Sequence, residues 1–145
     1  MREILFKAKS ENIDGTFDWV EGYLSKCDGK WTICDDEGCG CFIEENTICQ
    51  YTGLTDKNAN KIWENDIVKC YSFDCRGRES EFISDVFWDD CSWMLHEEEH
   101  CDGMLCYFDK NIKYESHVSE IEVIGNIFDN YELLNDSCTN SITGN

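Results

Sequence analysis

The sequence predicts a mainly β fold of small strands and hairpins, and two observations carry that prediction. Short segments rich in β-branched and aromatic residues alternate with polar, glycine-containing turns along most of the chain. A short helical turn is expected only near the C-terminus, at Asn130–Leu134. Of the 145 residues, 41% are hydrophobic and 13% aromatic, which is enough for a folded core.

A hairpin is predicted at the N-terminus. Ile4–Phe6 and Trp19–Leu24 are rich in the β-branched and aromatic residues that favour strands. Between them, Asn12, Asp14 and Gly15 supply the side chains and the backbone freedom that turns need. The two strands are therefore expected to pair with each other.

Further strands follow with the same rhythm of apolar pieces and turns. Residues 27–49 contain strand candidates at Trp31–Ile33 and Cys41–Ile43, and no helix is expected there. Glu81–Trp88 is apolar on both faces and is expected to be a well-covered strand that returns as a hairpin through Trp93–Leu95. The remaining strand candidates are Met104–Phe108 and Ile121–Ile124.

The sequence indicates a single domain. It contains no proline, so no proline-rich linker marks a boundary between domains. We expect this domain to cover residues 1–134. The last segment, Asn135–Asn145, is mostly polar and close to the end of the chain, so a flexible tail is expected there.

The net charge of −19 is concentrated in the middle of the chain, where residues 70–109 hold 2 basic and 11 acidic side chains. Such a surface repels phosphate backbones, and the sequence shows no basic aromatic stripe, so direct binding of nucleic acid is not expected. An acidic protein can instead mimic nucleic acid and occupy a basic groove on another protein. An acidic decoy is therefore one alternative function.

The start of the chain does not resemble a signal peptide, and no run approaches the roughly 20 apolar residues of a membrane span. We therefore expect a cytoplasmic protein that has no membrane partner. The odd number of cysteines, eleven, then indicates reduced thiols rather than a disulfide framework. Most of these cysteines are expected to fill small spaces in the core.

A structural zinc site is another alternative function. Cys39 and Cys41 are two residues apart, which on a strand places both thiols on one face. Additional ligands could come from elsewhere in the chain, namely Cys34, His96, His100, Cys101 and Cys106. The spacing does not match a standard Cys-x-x-Cys ribbon or finger, so no metal ligand and no cofactor is assigned.

Residues His96–His100 read HEEEH, which fits the H-E-x-x-H pattern of zinc peptidases. In those enzymes the helix that carries the motif is buried, whereas here Glu98, Glu99 and Asp102 place charges around the second histidine. The sequence shows no third ligand, and His117 stands apart from any nucleophile pattern. We therefore assign no catalytic residue and expect no enzymatic activity.

Three segments together resemble the YopX family of phage and prophage proteins. The opening, MREILFKAK followed by WVEGYL at Trp19–Leu24, is similar to that of the family. The central segment, IEENTICQYTGLTDKNANKIWENDIVK at Ile43–Lys69, has the family's extended entry, its Gln-Tyr-Thr-Gly-Leu piece and its two polar turns. The third segment is EVIGNIFDNYELL at Glu122–Leu134. Together the three segments touch about half of the chain.

The central segment also makes physical sense as a pair of turns. Leu54 and Ile62 can pack together across a polar turn formed by Asp56, Lys57 and Asn58. A second turn, Glu64-Asn65-Asp66, then begins a strand over Ile67–Tyr71, where we expect an SH3-like barrel element.

The chain departs from the family at three positions. The family has glycine where this chain has Ala59 and Asn65, and proline where it has Tyr131. Asparagine tolerates the left-handed backbone conformation, so the turn at Asn65 can form. Alanine tolerates it less readily, and we therefore expect Asn58 or Asn60 to carry the positive φ instead of Ala59.

The resemblance implies a phage- or prophage-type protein with no assigned activity. We expect a non-enzymatic interaction module in the cytoplasm of a bacterial host. It is expected to form a homo-oligomer, with a host protein as a possible further partner. Five tryptophans, six tyrosines and eight phenylalanines are many for one domain, so some are expected at a subunit interface. The alternative, that these aromatic residues simply form the core, is equally open.

Overall fold

The structure is a computed structural model that describes residues 3–38, 40–73, 79–89, 91–96, 103–104 and 119–134. The described residues form eleven strands, one 3-10 turn and one helical turn at residues 132–134. The predictions of a mainly β chain and of a C-terminal helical turn are thereby confirmed. The chain divides into two compact units, Met1–Gly53 and Leu54–Asn145. The single domain over residues 1–134 stays a prediction.

The first unit contains an antiparallel sheet. Its strands are β1 (Phe6–Glu11), β2 (Phe17–Cys27), β3 (Lys30–Cys34), β4 (Gly40–Phe42) and the start of β5 (Cys49–Thr55). They are ordered β4-β3-β2-β1-β5. A 3-10 turn at Glu45–Thr47, which the sequence did not predict, precedes β5.

The predicted N-terminal hairpin forms between β1 and β2, but β1 begins at Phe6, where the predicted strand ended. The prediction stopped too early because Lys7 and Lys9 interrupt the apolar run. These lysines alternate with Phe6 and the buried Ala8, which is the period-two pattern of a half-buried strand. Gly15 adopts a φ of 85° in the connecting turn.

Gly22 marks the place where β2 changes partners. Residues of β2 up to Gly22 pair with β1, and those from Tyr23 onward pair with β3. A Cβ on Gly22 would collide with the carbonyl oxygen of Cys34, so a larger residue would force the backbone apart. Glycine is required here because β3 approaches the backbone of β2 too closely for a side chain.

The second unit contains the other antiparallel sheet. After the end of β5 come β6 (Lys61–Trp63), β7 (Asp66–Phe73), β8 (Glu79–Asp89), β9 (Ser92–Leu95), β10 (Gly103–Met104) and β11 (Ser119–Asn126). The sheet is ordered β10-β9-β8-β7-β11, and β6 lies beside β5. In the described parts of the chain no barrel closes, so the SH3-like barrel element is unconfirmed.

One face of this sheet forms the core of the second unit. The buried cluster consists of Ile62, Val68, Cys70, Phe82, Val86, Trp93, Leu95 and Ile121. Leu54 packs against this cluster, which contains Ile62, and the direct contact between Leu54 and Ile62 stays a prediction. On β8 the buried Phe82, Ser84 and Val86 alternate with half-buried residues of the other face. The strand is therefore well covered on one face rather than on both.

The two predicted turns of the central segment form, with one correction. Asn65 has a φ of 68°, as expected. The first turn places its positive φ, 65°, on Ala59 itself, so the prediction of Asn58 or Asn60 was wrong. The reason is that the Asp56 carboxylate accepts hydrogen bonds from the N–H groups of Asn58 and Asn60, which fixes both residues. Ala59 lies between them and has to reverse the chain.

The remaining predicted elements are described in part. Residues 121–124 lie within β11, and Ser92–Leu95 forms the predicted hairpin with β8. Of the candidate strand at 104–108 only Met104 is described, in β10, and the predicted tail lies outside the described residues. In the part of the chain that the structure describes, no helix has the length and apolar character needed to cross a membrane.

Candidate interaction surfaces

The sheet of the first unit gathers aromatic and lysine side chains on one face. Paired residues of antiparallel strands point to the same face, and successive residues point to opposite faces. The register pairs Lys9 with Trp19 on β1 and β2, and Thr32 with Phe42 on β3 and β4. Extending this alternation along the strands defines the aromatic–lysine face, a name that we give to Lys7, Lys9, Phe17, Trp19, Tyr23, Lys30 and Phe42. Glu11 and Glu21 lie on the same side of the sheet.

Three aromatic side chains of this face are open to solvent although they lie on strands. Phe17 is 46% exposed, Tyr23 52% and Phe42 61%. Single exposed apolar residues are ordinary on protein surfaces, but several on one sheet face are typical of an interaction site. The Asp36 carboxylate beside Tyr23 raises the pKa of this phenol.

The lysines of this face lie over its aromatic rings. The Nζ atoms of Lys7 and Lys9 are 4.8 Å and 5.5 Å from the ring centroid of Trp19. Lys30 Nζ is 5.7 Å from the ring centroid of Phe42. Such cation–π contacts are worth about 0.5–1 kcal/mol at exposed sites. They hold positive charge beside apolar rings on this surface.

The sheet of the second unit presents carboxylates on the face opposite its core. In the register Lys69 pairs with Glu122, and Tyr71 lies between Glu120 on β11 and Glu81 on β8. The carboxylate face, defined by this register, consists of Lys69, Tyr71, Glu79, Glu81, Glu120 and Glu122. Four carboxylates therefore face one lysine among these six residues.

Two ion pairs and a cavity lie on the carboxylate face. Lys69 Nζ is 3.0 Å from a carboxylate oxygen of Glu81, and Lys57 Nζ is 3.7 Å from one of Glu122. All four side chains are exposed, so these pairs contribute little to stability. The cavity has a volume of about 270 Å³ and is lined by Lys57, Lys69, Tyr71, Glu81, Glu120, Ile121 and Glu122.

Electrostatics at the centre of this face favour a cation. Partial burial raises the pKa of Tyr71, and the neighbouring carboxylates of Glu79, Glu120 and Glu81 raise it further. These carboxylates add a negative potential at the phenol, and Lys57 and Lys69 line the same cavity. The carboxylate face is therefore suited to a partner that brings positive charge.

Asp56 holds the carboxylate face in place. Its side chain is 0% exposed and accepts hydrogen bonds from the N–H groups of Asn58, Asn60 and Val123, at 2.9, 2.9 and 3.0 Å. Burial raises the pKa of Asp56, but these hydrogen bonds outweigh burial and leave the pKa below its ordinary value. The contact ties the first turn to β11, and thus brings Lys57 next to Glu122.

His96, the first residue of HEEEH, lies against β8. Its ring stacks on Phe87 with 4.2 Å between centroids, and Nε2 is 3.4 Å from an oxygen of Asp85. Its backbone N–H donates to the hydroxyl of Ser84 at 2.8 Å. These contacts anchor His96 at the end of β9. The other residues of the motif, and His117, lie outside the described residues.

The cysteines do not gather as the zinc alternative requires. Cys41 pairs with Ile33, so its side chain and that of Cys34 point to opposite faces of the sheet. Cys39, His100, Cys101 and Cys106 lie outside the described residues. Within the described ranges, no group of three or more His, Cys, Asp or Glu residues could hold a metal ion.

The expectation that most cysteines fill the core does not hold for the described ones. Six cysteines are described, and among them Cys49 and Cys70 are buried. Cys27, Cys41 and Cys91 are exposed, and Cys34 is half-buried.

Sequence reasoning missed the aromatic–lysine face. Lys9 and Trp19 are ten positions apart, so the sequence shows no continuous basic and aromatic stripe. The antiparallel register brings them side by side. The signal that could have found them is the pair of period-two patterns, Lys7-Ala8-Lys9 and Phe17-Asp18-Trp19, on two strands predicted to pair.

Comparison with known proteins gives a family match. The family model described as YopX protein matches residues 6–135, a span that includes described strands of both units. No curated protein matches the sequence.

Proposed function

The chain belongs to the YopX family, and from this premise we propose that it is a non-enzymatic interaction module that associates with copies of itself. The observation that carries the proposal is the aromatic–lysine face, with Phe17, Tyr23 and Phe42 exposed on its strands. We place this activity in the cytoplasm of a bacterial host, in a protein of phage or prophage type.

A second copy of the chain is the occupant that we assign to the aromatic–lysine face. An exposed aromatic face loses water when it is covered, and an acidic partner would complement its lysines. The net charge of −19 repels phosphate backbones and a second copy of the chain alike, so the short-range contacts of this face decide its occupant. Another copy of the same chain provides carboxylates on a folded surface.

A second candidate function is the acidic decoy, which the carboxylate face favours. Its Glu79, Glu81, Glu120 and Glu122 resemble a run of phosphates that a basic groove would accept. The zinc alternative has less support, because Cys34 and Cys41 point to opposite faces.

Sedimentation equilibrium of the full, tag-free chain under reducing conditions tests the proposal. We expect an average mass above that of the monomer, which rises with concentration. Phe17→Ser removes an exposed ring of the aromatic–lysine face and is expected to weaken association by about tenfold or more. Tyr131→Ser is the matched control, because Tyr131 is 58% exposed and lies outside that face.

Two results would contradict the proposal. One is a wild-type chain that sediments as a monomer at every concentration. The other is an equal loss of association in Phe17→Ser and Tyr131→Ser, since association would then not depend on the aromatic–lysine face. A monomer that binds a basic protein, with an affinity that falls steeply as salt rises, would favour the acidic decoy.

A further inference from the structure

We infer that the turn of residues 56–60, which we name the edge cap, closes the outer edge of β11 and keeps a strand of another copy from pairing there. The inference concerns a strand edge and not the aromatic–lysine face. It therefore does not depend on the proposed self-association.

β11 is a long strand at the end of its sheet. Among the described strands, β4, β6, β10 and β11 lie at sheet ends. β4 and β6 have three residues each and β10 has two, whereas β11 has eight. A very short edge strand offers few main-chain groups to a further strand, but a long one is a template for pairing with another chain. Of these four edges, β11 therefore needs protection most.

Two hydrogen bonds join the edge cap to the side of β11 that faces away from β7. The N–H of Lys57 donates to the carbonyl oxygen of Ile121 at 3.0 Å. The N–H of Val123 donates to the carboxylate of Asp56 at 3.0 Å. Ile121 and Val123 are two positions apart, and alternate residues of an antiparallel strand turn their main-chain groups to the same neighbour. The edge cap therefore occupies groups that a further strand would need.

Hydrogen bonds within the edge cap fix its shape. The Asp56 carboxylate accepts from the N–H groups of Asn58 and Asn60, each at 2.9 Å. The N–H of Asp56 donates to the carbonyl oxygen of Asn60 at 2.8 Å. Asp56 is 0% exposed. A strand that displaced the cap would separate this buried carboxylate from the N–H of Val123, which is unfavourable.

A β-bulge distorts the edge beyond the cap. The register between β11 and β7 shifts between Val123 and Gly125. The N–H of Asn126 then donates to the side-chain oxygen of Asn130 at 3.2 Å. Bulges twist an edge away from the straight geometry that a further strand requires. The bulge and the edge cap thus act in the same direction.

Asp56→Ala opens the edge cap, because it removes the acceptor of Val123 and the acceptor that fixes Asn58 and Asn60. The test uses the full chain in the Phe17→Ser background, which weakens association through the aromatic–lysine face. We expect Phe17→Ser/Asp56→Ala to associate at least about tenfold more strongly than Phe17→Ser in sedimentation equilibrium.

A matched control separates an opened edge from a general loss of stability. Leu95→Ala and Val86→Ala each truncate a side chain that is 0% exposed in the core of the second unit, and neither changes the edge cap. Urea titration selects the one whose loss of stability is closer to that of Asp56→Ala. In the Phe17→Ser background this control is expected to associate like Phe17→Ser alone.

Proline at position 123 shows whether the opened edge is the contact. The N–H of Val123 points to the edge cap, so Val123→Pro removes no hydrogen bond between β7 and β11. Adding it to Phe17→Ser/Asp56→Ala is expected to return association to the level of Phe17→Ser, with circular dichroism as the check of folding.

Amide hydrogen exchange gives the same answer without proline. In Phe17→Ser/Asp56→Ala, the N–H of Val123 should exchange fast at low protein concentration. Its protection should return as the concentration rises, because a strand of a second copy then accepts from it.

Four results would overturn the inference. The first is a Phe17→Ser/Asp56→Ala chain that associates no more strongly than Phe17→Ser. The second is a core control that associates as strongly as the Asp56→Ala chain. The others are association that persists in a folded Val123→Pro chain, and exchange at Val123 that stays fast at every concentration. Every comparison starts from Phe17→Ser, so the outcome is separate from that of the proposed function.

Discussion

The buried carboxylate of Asp56 predicts a large loss of stability on a nearly isosteric change. Its two oxygens accept from the backbone N–H groups of Asn58, Asn60 and Val123. Asp56→Asn keeps one acceptor oxygen and replaces the other by an NH₂ group, which points at an N–H donor. The variant therefore loses either the hydrogen bond from Val123 of β11 or the two hydrogen bonds within the turn.

The size of the stability loss follows from the hydrogen bonds that Asp56→Asn removes. A hydrogen bond to a charged group contributes about 1.5–3 kcal/mol, and a buried donor left without a partner costs about 1–3 kcal/mol. Because the Asp56 side chain is 0% exposed, water cannot replace the lost acceptor. We expect the free energy of unfolding of the second unit to fall by about 2–4 kcal/mol at neutral pH.

Urea titration followed by tryptophan fluorescence and circular dichroism measures this loss. Amide hydrogen exchange adds a local readout, because the N–H of Val123 should lose protection. Asp14→Asn is the matched control. Asp14 also accepts from a turn, from the N–H and the hydroxyl of Thr16, at 3.0 and 2.6 Å. It is exposed, so its replacement should change stability much less.

The lowered pKa of Asp56 predicts how its contribution to stability changes with pH. The pKa of Asp56 lies below its ordinary value of 3.8 in the folded chain. Its stabilising contribution is therefore present above that value and is lost as the pH falls through the folded-state pKa. The stability difference between wild type and Asp56→Asn should shrink over that acidic range. Equal stability of the two proteins at neutral pH would refute the reasoning.

Further predictions concern Ala59, whose backbone conformation favours glycine, and Gly22, where a side chain has no room. Ala59→Gly should raise the free energy of unfolding by about 1 kcal/mol, because glycine relieves the left-handed strain at φ 65° and this gain exceeds its entropic cost. Asn58→Gly should not stabilise, and a gain there instead of at Ala59 would contradict the structure of the turn. Gly22→Ala should lower the free energy of unfolding by about 1–3 kcal/mol, because its Cβ meets the Cys34 carbonyl. Gly40→Ala is the control in the same urea titrations, since its Cβ meets the movable Cys34 thiol at 3.3 Å. Equal effects of the two glycine changes would contradict the close approach at Gly22.

Local patterns in the sequence predicted most of the described strands. The turn at Asn65 was predictable because asparagine is one of the few residues that accept a left-handed backbone. The hairpin of β8 and β9 was predictable because its apolar run ends at a polar turn. The conformation of Ala59 was mispredicted because hydrogen bonds to Asp56 decide which residue of the turn takes the positive φ. The conformational preferences of single residues do not include these hydrogen bonds.

The interaction surfaces were not predictable in the same way. Asp56 and Val123 are 67 positions apart, and no local pattern joins them. Lys9 and Trp19 become neighbours only through the register of β1 and β2. The acidic character of the chain was visible in its composition. The sequence did not show that four of the glutamates lie around Tyr71 on one sheet face.

The central claim is that the chain associates with itself through the aromatic–lysine face. Sedimentation equilibrium of wild type, Phe17→Ser and Tyr131→Ser, under reducing conditions and over a range of concentrations, tests it most directly. We expect oligomers for the wild type and for Tyr131→Ser, and for Phe17→Ser an average mass below that of the wild type at equal concentration. A monomeric wild type, or a Phe17→Ser chain that associates as strongly as the wild type, would contradict it.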